Sequence, residues 1–246
     1  MSETVVLLHG FSGTRRAWDG VIERLDGERY LPLALDLPGH GEDSANPGPI
    51  SFEDCVQRVL SGAPERFALC GYSLGGRVAM HVALAAPERI TRLIAISANP
   101  GIEDPHERGQ RRAADRRLAD ELEQIPFEEF IERWRTQPVF ADQPPEVGEL
   151  ARADQRRNHP AALAAALRGL GAGQMEHLWE RLEGLPVPLT FVAGERDTKY
   201  LVIGRRLASK VPGAELVVLP GGHGLPLENP AGIARVLEGL DPQARG

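Results

Sequence analysis

Six short apolar runs separated by stretches of helical period predict an α/β fold, a mostly parallel sheet with helices on both faces. The runs at 5–8, 31–35, 67–70, 93–96, 189–192 and 216–219 lack the polar alternation of a half-exposed strand, so each reads as a strand covered on both sides. The segments at 17–25, 52–61, 74–86, 200–211 and 233–240 are helix-like, several with Gly or Pro just beyond their ends. Composition agrees with a folded chain: 246 residues, 42% hydrophobic and 26% charged, suffice for one sizeable core.

Taken in order, the first four runs alternate with helices at the spacing of successive strand–helix units. The pattern then breaks. From Ala98 to Leu185 the strand signal vanishes and Ala, Arg, Glu and Leu dominate, as at 111–124 and 161–170. Gln137-Pro138 and Gln143-Pro144-Pro145 divide this region into pieces. The simplest division is therefore a core of 1–98 and 186–246 with a helical cap inserted at 99–185. The strand signal resumes at 189, and the last two strands and their helices complete the sheet.

Several function classes are disfavoured. No apolar run approaches the roughly 18 residues of a bilayer span, and Met1-Ser2-Glu3-Thr4 has no basic leader character, so a cytoplasmic protein without membrane insertion is expected. Cys55 and Cys70 cannot build a disulfide framework and lie in no metal-binding spacing; no metal or cofactor is expected. The net charge of -7, from 28 Lys and Arg against 35 Asp and Glu, argues against a nucleic-acid surface. Taken as an average it even disfavours an anionic ligand.

The strongest chemical signal is Gly71-Tyr72-Ser73-Leu74-Gly75-Gly76, directly after a strand run and directly before a helix. G-x-S-x-G in that context is a nucleophile elbow, whose glycines leave room for a sharp turn that lifts the serine hydroxyl above the sheet. Such a serine needs an acid after a later strand and then a histidine near the end. Asp197, in Gly194-Glu195-Arg196-Asp197, and His223, in Pro220-Gly221-Gly222-His223-Gly224, supply them in that order. Glu195 is the rival acid and is expected to be solvated or ion-paired. Asp36 and His40, in Leu35-Asp36-Leu37-Pro38-Gly39-His40-Gly41, precede the serine and read as a structured loop. His9-Gly10-Phe11-Ser12-Gly13 follows the first run, and its turn would aim the Phe11 N–H, with that of Leu74, at an oxyanion above Ser73. An ordinary tight turn is the plainer alternative there.

These residues resemble the α/β-hydrolase superfamily over essentially the whole chain. Together with Asn99-Pro100-Gly101, Gln137-Pro138-Val139-Phe140, the arginine at 77 and Lys199, they resemble more narrowly the 2-succinyl-6-hydroxy-2,4-cyclohexadiene-1-carboxylate synthases of menaquinone biosynthesis. The resemblance implies a lyase on a hydrolase scaffold, eliminating pyruvate from 2-succinyl-5-enolpyruvyl-6-hydroxy-3-cyclohexene-1-carboxylate, with the serine acting as a base toward a carbon-bound proton. It also implies fixed cations for a substrate with three carboxylates. Arg77, one helical turn beyond Ser73, can reach the pocket edge. Arg111 sits where the family places a substrate arginine, Trp134 aligns with a pocket aromatic, and Tyr72 follows the elbow glycine. Each has a plainer reading: Arg108, Arg111, Arg112, Arg116 and Arg117 also suit a solvated helix face, and Trp134 suits a core.

Superfamily members carry strands before the oxyanion-turn strand, whereas only Met1–Thr4 precede Val5, so the antiparallel edge of the sheet is expected to be trimmed. The same triad would serve a carboxylesterase or a carbon–carbon bond hydrolase, and a non-catalytic small-molecule receptor is a third reading. Oligomeric state is not legible.

Overall fold

A computed structural model describes residues 2–45 and 50–240. Strands β1 (Glu3–Leu8), β2 (Tyr30–Leu35), β3 (Phe67–Tyr72), β4 (Ile90–Ile96), β5 (Leu189–Gly194) and β6 (Glu215–Leu219) form one sheet in the order β2-β1-β3-β4-β5-β6. Every neighbouring pair is parallel. All six expected strands are present, and no antiparallel strand occurs among the described residues.

The helices are α1 (Asp19–Ile22), α2 (Phe52–Gly62), α3 (Leu74–Ala85), α4 (Pro105–Gln124), α5 (Phe127–Arg135), α6 (Pro145–Gln155), α7 (Pro160–Leu170), α8 (Trp179–Glu183), α9 (Thr198–Lys210), α10 (Leu225–Glu228) and α11 (Pro230–Leu237). Two differ from expectation. The helix expected over 17–25 is a 3-10 turn at Arg15–Trp18 followed by the single turn α1. That expected over 233–240 begins earlier, at Pro230, and stops at Leu237, with Gly239 at a φ of 67° just past the end. Glycine takes that left-handed conformation at low cost, which ends the helix.

Alternate residues of each strand enter different cores. Val6, Leu8, Leu69, Leu93, Ala95 and Phe191 pack toward α2, α3 and α9 on one face. Val5, Leu7, Ala68, Cys70, Ile94 and Val192 pack on the other, against Trp18, Val21, Ile233 and Leu237. This two-sided burial is why the strands carry no polar alternation. Truncating one fully buried member, as in Leu69→Ala, should cost about 2–5 kcal/mol. Ser51 caps α2 reciprocally, accepting from the Asp54 N–H while the Asp54 carboxylate accepts from the Ser51 N–H.

Between β4 and β5 the chain runs through α4 to α8. Their own apolar cluster of Ala119, Leu122, Phe130, Leu163, Ala164 and Leu167 is bordered by Phe11 and Trp134. The strand order supplies the place for a site. From β1 the chain moves outward to β2, then returns to lay β3 on the other side of β1. At this reversal the loops after β1 and β3 diverge to opposite faces and leave a crevice at the strand ends. The Gly10–Gly13 turn and Ser73 flank that crevice.

Candidate active site

Ser73 follows β3 directly and caps α3 at φ 52° and ψ -107°, a strained backbone for a serine. Its glycine neighbours permit the turn. A Cβ on Gly71 would lie 2.2 Å from the Gly75 carbonyl oxygen, and one on Gly75 would lie 2.2 Å from that of Leu8. The Ser73 N–H donates to the Ile96 carbonyl at 2.8 Å, pinning the strained residue to β4.

His223, from the loop after β6, places Nε2 3.3 Å from Ser73 Oγ and Nδ1 2.7 Å from Asp197 Oδ2. Asp197 and His223 are both nearly buried, and Asp197 comes from the loop after β5, as the order of acid and base in the sequence requires. The 2.7 Å contact is short enough for Nδ1–H to donate to the carboxylate, which leaves Nε2 free to accept the serine proton. Glu195 lies on the surface, with Arg196 3.7 Å away, and stays outside the triad.

The Gly10–Gly13 turn is fixed from below by His9. Its Nε2 accepts from the Leu37 N–H at 3.0 Å, and Nδ1 donates to the Gly10 carbonyl at 2.7 Å. That pairing selects the neutral ring, and burial holds the His9 pKa below its ordinary value. Asp36 is equally structural: it accepts from the Arg15 backbone at 2.7 Å and from its guanidinium at 2.9 Å. His40 packs its ring 5.0 Å from that of His9 and edge-on to Phe11 at 5.7 Å.

A solvent-open cleft of about 920 Å³, counting its mouth, is lined by Phe11, Ser73, Leu74, Arg77, Arg111 and Trp134 together with Asn99, Glu107, Asp115, Lys199 and Tyr200. Arg77 is anchored by donating Nη1–H to the Leu170 carbonyl at 2.7 Å, and burial pushes its guanidinium down to about 10, still charged at neutral pH. Arg111 is half-exposed and donates from Nε to buried Asp115 at 2.7 Å. The other expected residue, Tyr72, lies elsewhere. It lines a neighbouring recess with Gln143 and Gln155, its ring 5.4 Å from that of His223. Phe11 and Trp134 line both recesses, their rings 5.0 Å apart, so the pair divides one cleft into two lobes.

Sequence reasoning did not single out Lys199 or Tyr200 as wall residues. Lys199 was visible in the Gly-Glu-Arg-Asp-x-Lys segment, and its position two residues past Asp197 was the usable signal. Tyr200 packs 4.9 Å from the His223 ring.

Known proteins share the fold. A family model described as the alpha/beta hydrolase family matches residues 5–236. A 2-succinyl-6-hydroxy-2,4-cyclohexadiene-1-carboxylate synthase from Salmonella agona is 35% identical over 234 residues, covering 94% of this chain and 90% of that protein. The chain belongs to this synthase family of α/β hydrolases. MenH from S. aureus superposes with a TM-score of 0.90 at 31% identity, covering 96% of this chain and 92% of that one. A hydrolase from Pseudomonas aeruginosa PA01 follows the same fold at a TM-score of 0.80 and 25% identity, covering 97% and 89%. Synthase-family membership and a hydrolase-like triad thus coexist in one chain, and the cavity's cations are what the triad alone would not require.

Proposed function

We propose that this chain is a carbon–oxygen lyase that eliminates pyruvate from 2-succinyl-5-enolpyruvyl-6-hydroxy-3-cyclohexene-1-carboxylate, giving 2-succinyl-6-hydroxy-2,4-cyclohexadiene-1-carboxylate. The observation that carries this reading is Ser73 sharing one cavity with Arg77, Arg111 and Lys199 in a member of the synthase family. A guanidinium fork matches two carboxylate oxygens, each charge-assisted bond contributing roughly 1.5–3 kcal/mol. These three cations, offset only in part by Glu107 and Asp115 in the same lining, suit a polycarboxylate better than a neutral ester.

In the reaction, Ser73 Oγ, its proton drawn toward His223 Nε2, removes the proton from the carbon beside the succinyl ketone. The electron pair delocalises onto the ketone oxygen, held by the Phe11 and Leu74 amides, and then moves through the ring as the carbon–oxygen bond to enolpyruvate breaks. The leaving group collects a proton and becomes pyruvate. Asp197 holds the imidazole in the tautomer that this requires and stabilises it when charged. In this reading residues 99–185 act as a cap on a core of 1–98 and 186–246, contributing Arg111 and Trp134. Free, buried Cys55 and Cys70 suit a reducing, cytoplasmic compartment, and no helix among the described residues is long and apolar enough to cross a membrane.

The test is direct. Purified protein incubated with the enolpyruvyl substrate should release pyruvate, read by coupling to lactate dehydrogenase, and Ser73→Ala should not. Equal signals from the two proteins would reject the proposal. The same triad is also that of a serine hydrolase, and an acyl-enzyme on Ser73 seen by mass spectrometry with rapid aryl-ester turnover would favour hydrolysis instead.

A further inference from the structure

The turn that carries the Phe11 amide is held from above as well as below. Ser12 has a φ of 62°, and the Gly13 N–H donates to the Gly10 carbonyl at 3.2 Å. Only the second central residue has positive φ, the pattern of a type II turn, where glycine is favoured and a serine is strained. Three residues at the end of α6 and just beyond it grip this turn. Asp154 accepts from the Thr14 N–H at 2.8 Å and from its hydroxyl at 2.5 Å. Gln155 donates to Ser12 Oγ at 2.9 Å, and Asn158 donates to the Ser12 carbonyl at 2.8 Å while accepting from the Gly41 N–H at 2.9 Å. Ser12, Thr14, Asp154, Gln155 and Asn158 are all less than a tenth exposed.

We propose that Asp154, Gln155 and Asn158 are positioning residues that hold the strained Gly10–Gly13 turn with its Phe11 amide aimed above Ser73, so that the inserted helices complete the oxyanion site as well as covering it. Polar groups buried this thoroughly favour one geometry, because a slip would add unpaired donors or acceptors to the Gln155 Oε1 that already lacks a partner. Ordinary packing of a helix on a loop would not need both the hydroxyl and the carbonyl of the strained residue to be bonded. The inference rests on Phe11 as an oxyanion donor.

Thr14 and Asn158 line neither lobe of the cleft, so changing them leaves the walls intact. The experiment compares Thr14→Val, Thr14→Ser and Asn158→Ala with the native protein by kcat and KM for pyruvate release, by melting temperature, and by binding of phenylboronic acid. The boronate forms a tetrahedral adduct on Ser73 and needs the same amides whatever the natural substrate. Thr14→Val and Asn158→Ala should lower kcat by about tenfold, short of the roughly 10²–10³ seen when such a donor is lost outright, with KM within about twofold. Boronate binding should weaken in parallel, and Thr14→Ser should restore both. Unchanged kcat in folded variants, boronate binding that stays intact, or a Thr14→Ser as impaired as Thr14→Val would overturn the proposal. If Asn158→Ala does not fold, the Thr14 pair decides. A native protein that releases no pyruvate defeats the synthase reading, while the boronate arm still tests the turn.

Discussion

His40 and His223 stand in nearly the same local sequence, Pro38-Gly39-His40-Gly41 and Pro220-Gly221-Gly222-His223-Gly224, each in a loop just past a parallel strand. Both are buried. His223 finds Asp197 at one nitrogen and Ser73 at the other. His40 donates Nδ1–H to the Pro38 carbonyl at 3.1 Å, and its Nε2 is buried with no partner. Burial pushes the His40 pKa down to about 3, and the neighbouring His9 ring would oppose a second proton there. β2 lies at one edge of the sheet, and its loop meets the turn's support rather than Ser73. The lesson is that a glycine-flanked histidine becomes a general base only where the topology delivers a carboxylate to one nitrogen and a hydroxyl to the other.

The sharpest way to break that contrast is to exchange imidazoles for amides. His223→Asn and Ser73→Ala should each lower kcat by about 10⁴ or more, as when a triad member is lost. His40→Asn should leave kcat of the folded protein within about tenfold of native. A comparable loss at His40 would mean that the loop after β2 takes part in the chemistry. Asp197→Asn tests the carboxylate half of the contrast. With the wrong tautomer favoured, kcat should fall by about 10³–10⁴ with little change in melting temperature, and an unaffected kcat would remove Asp197 from the triad.

A smaller effect separates the two arginines of the cavity. Arg77→Ala should raise KM for the polycarboxylate by about 10-fold to 100-fold while costing a small neutral ester much less, in line with one or two charge-assisted bonds. Arg111→Ala should cost less than Arg77→Ala. Its guanidinium is half-exposed and already bonded to Asp115, so solvent and that carboxylate screen it. Equal losses on both substrates would argue against carboxylate binding by either residue.

A last effect concerns stability. The His40 pKa lies near 3 in the folded protein against an ordinary value of 6.5, so between those values the unfolded chain binds the proton and the folded one does not. Stability therefore falls as pH drops below about 6.5, and the loss levels off only near pH 3. His81, pushed down by burial to about 4, acts in the same sense. His40→Gln should show a shallower fall of melting temperature between about pH 6.5 and 4, and an unchanged slope would show that His40 does not set the acid limb.

Much of the fold and the elbow was legible because both rest on local rules, and the arrangement of Ser73, His223 and Asp197 followed from their order along the chain. Strands buried on both faces write continuous apolar runs, and an elbow demands small residues at Gly71 and Gly75 whatever surrounds it. α5 was missed although Phe127, Phe130, Ile131 and Trp134 carry a helical spacing, because its charged residues blended into the Arg- and Glu-rich stretch around it. The grip of Asp154, Gln155 and Asn158 on the turn was invisible. Its partners lie 140 to 146 residues away in the chain, and buried polar pairs leave no periodic trace in sequence.

The net charge of -7 shows the same division. It suggested an unfriendly surface for anions, yet Arg133, Arg152, Arg156, Arg168 and Arg206 are spent on surface carboxylates while Arg77, Arg111 and Lys199 converge on one cavity. By itself the sequence determined the strands and the nucleophile elbow, since each depends on neighbours within a few residues, and the order of acid and base, which is read along the chain. Tertiary structure alone decided that Lys199 joins Arg77 and Arg111 in the serine's cavity and that Tyr72 lines the other lobe. Those outcomes depend on distances between strand ends and inserted helices, which are set by packing and do not appear in the order of residues.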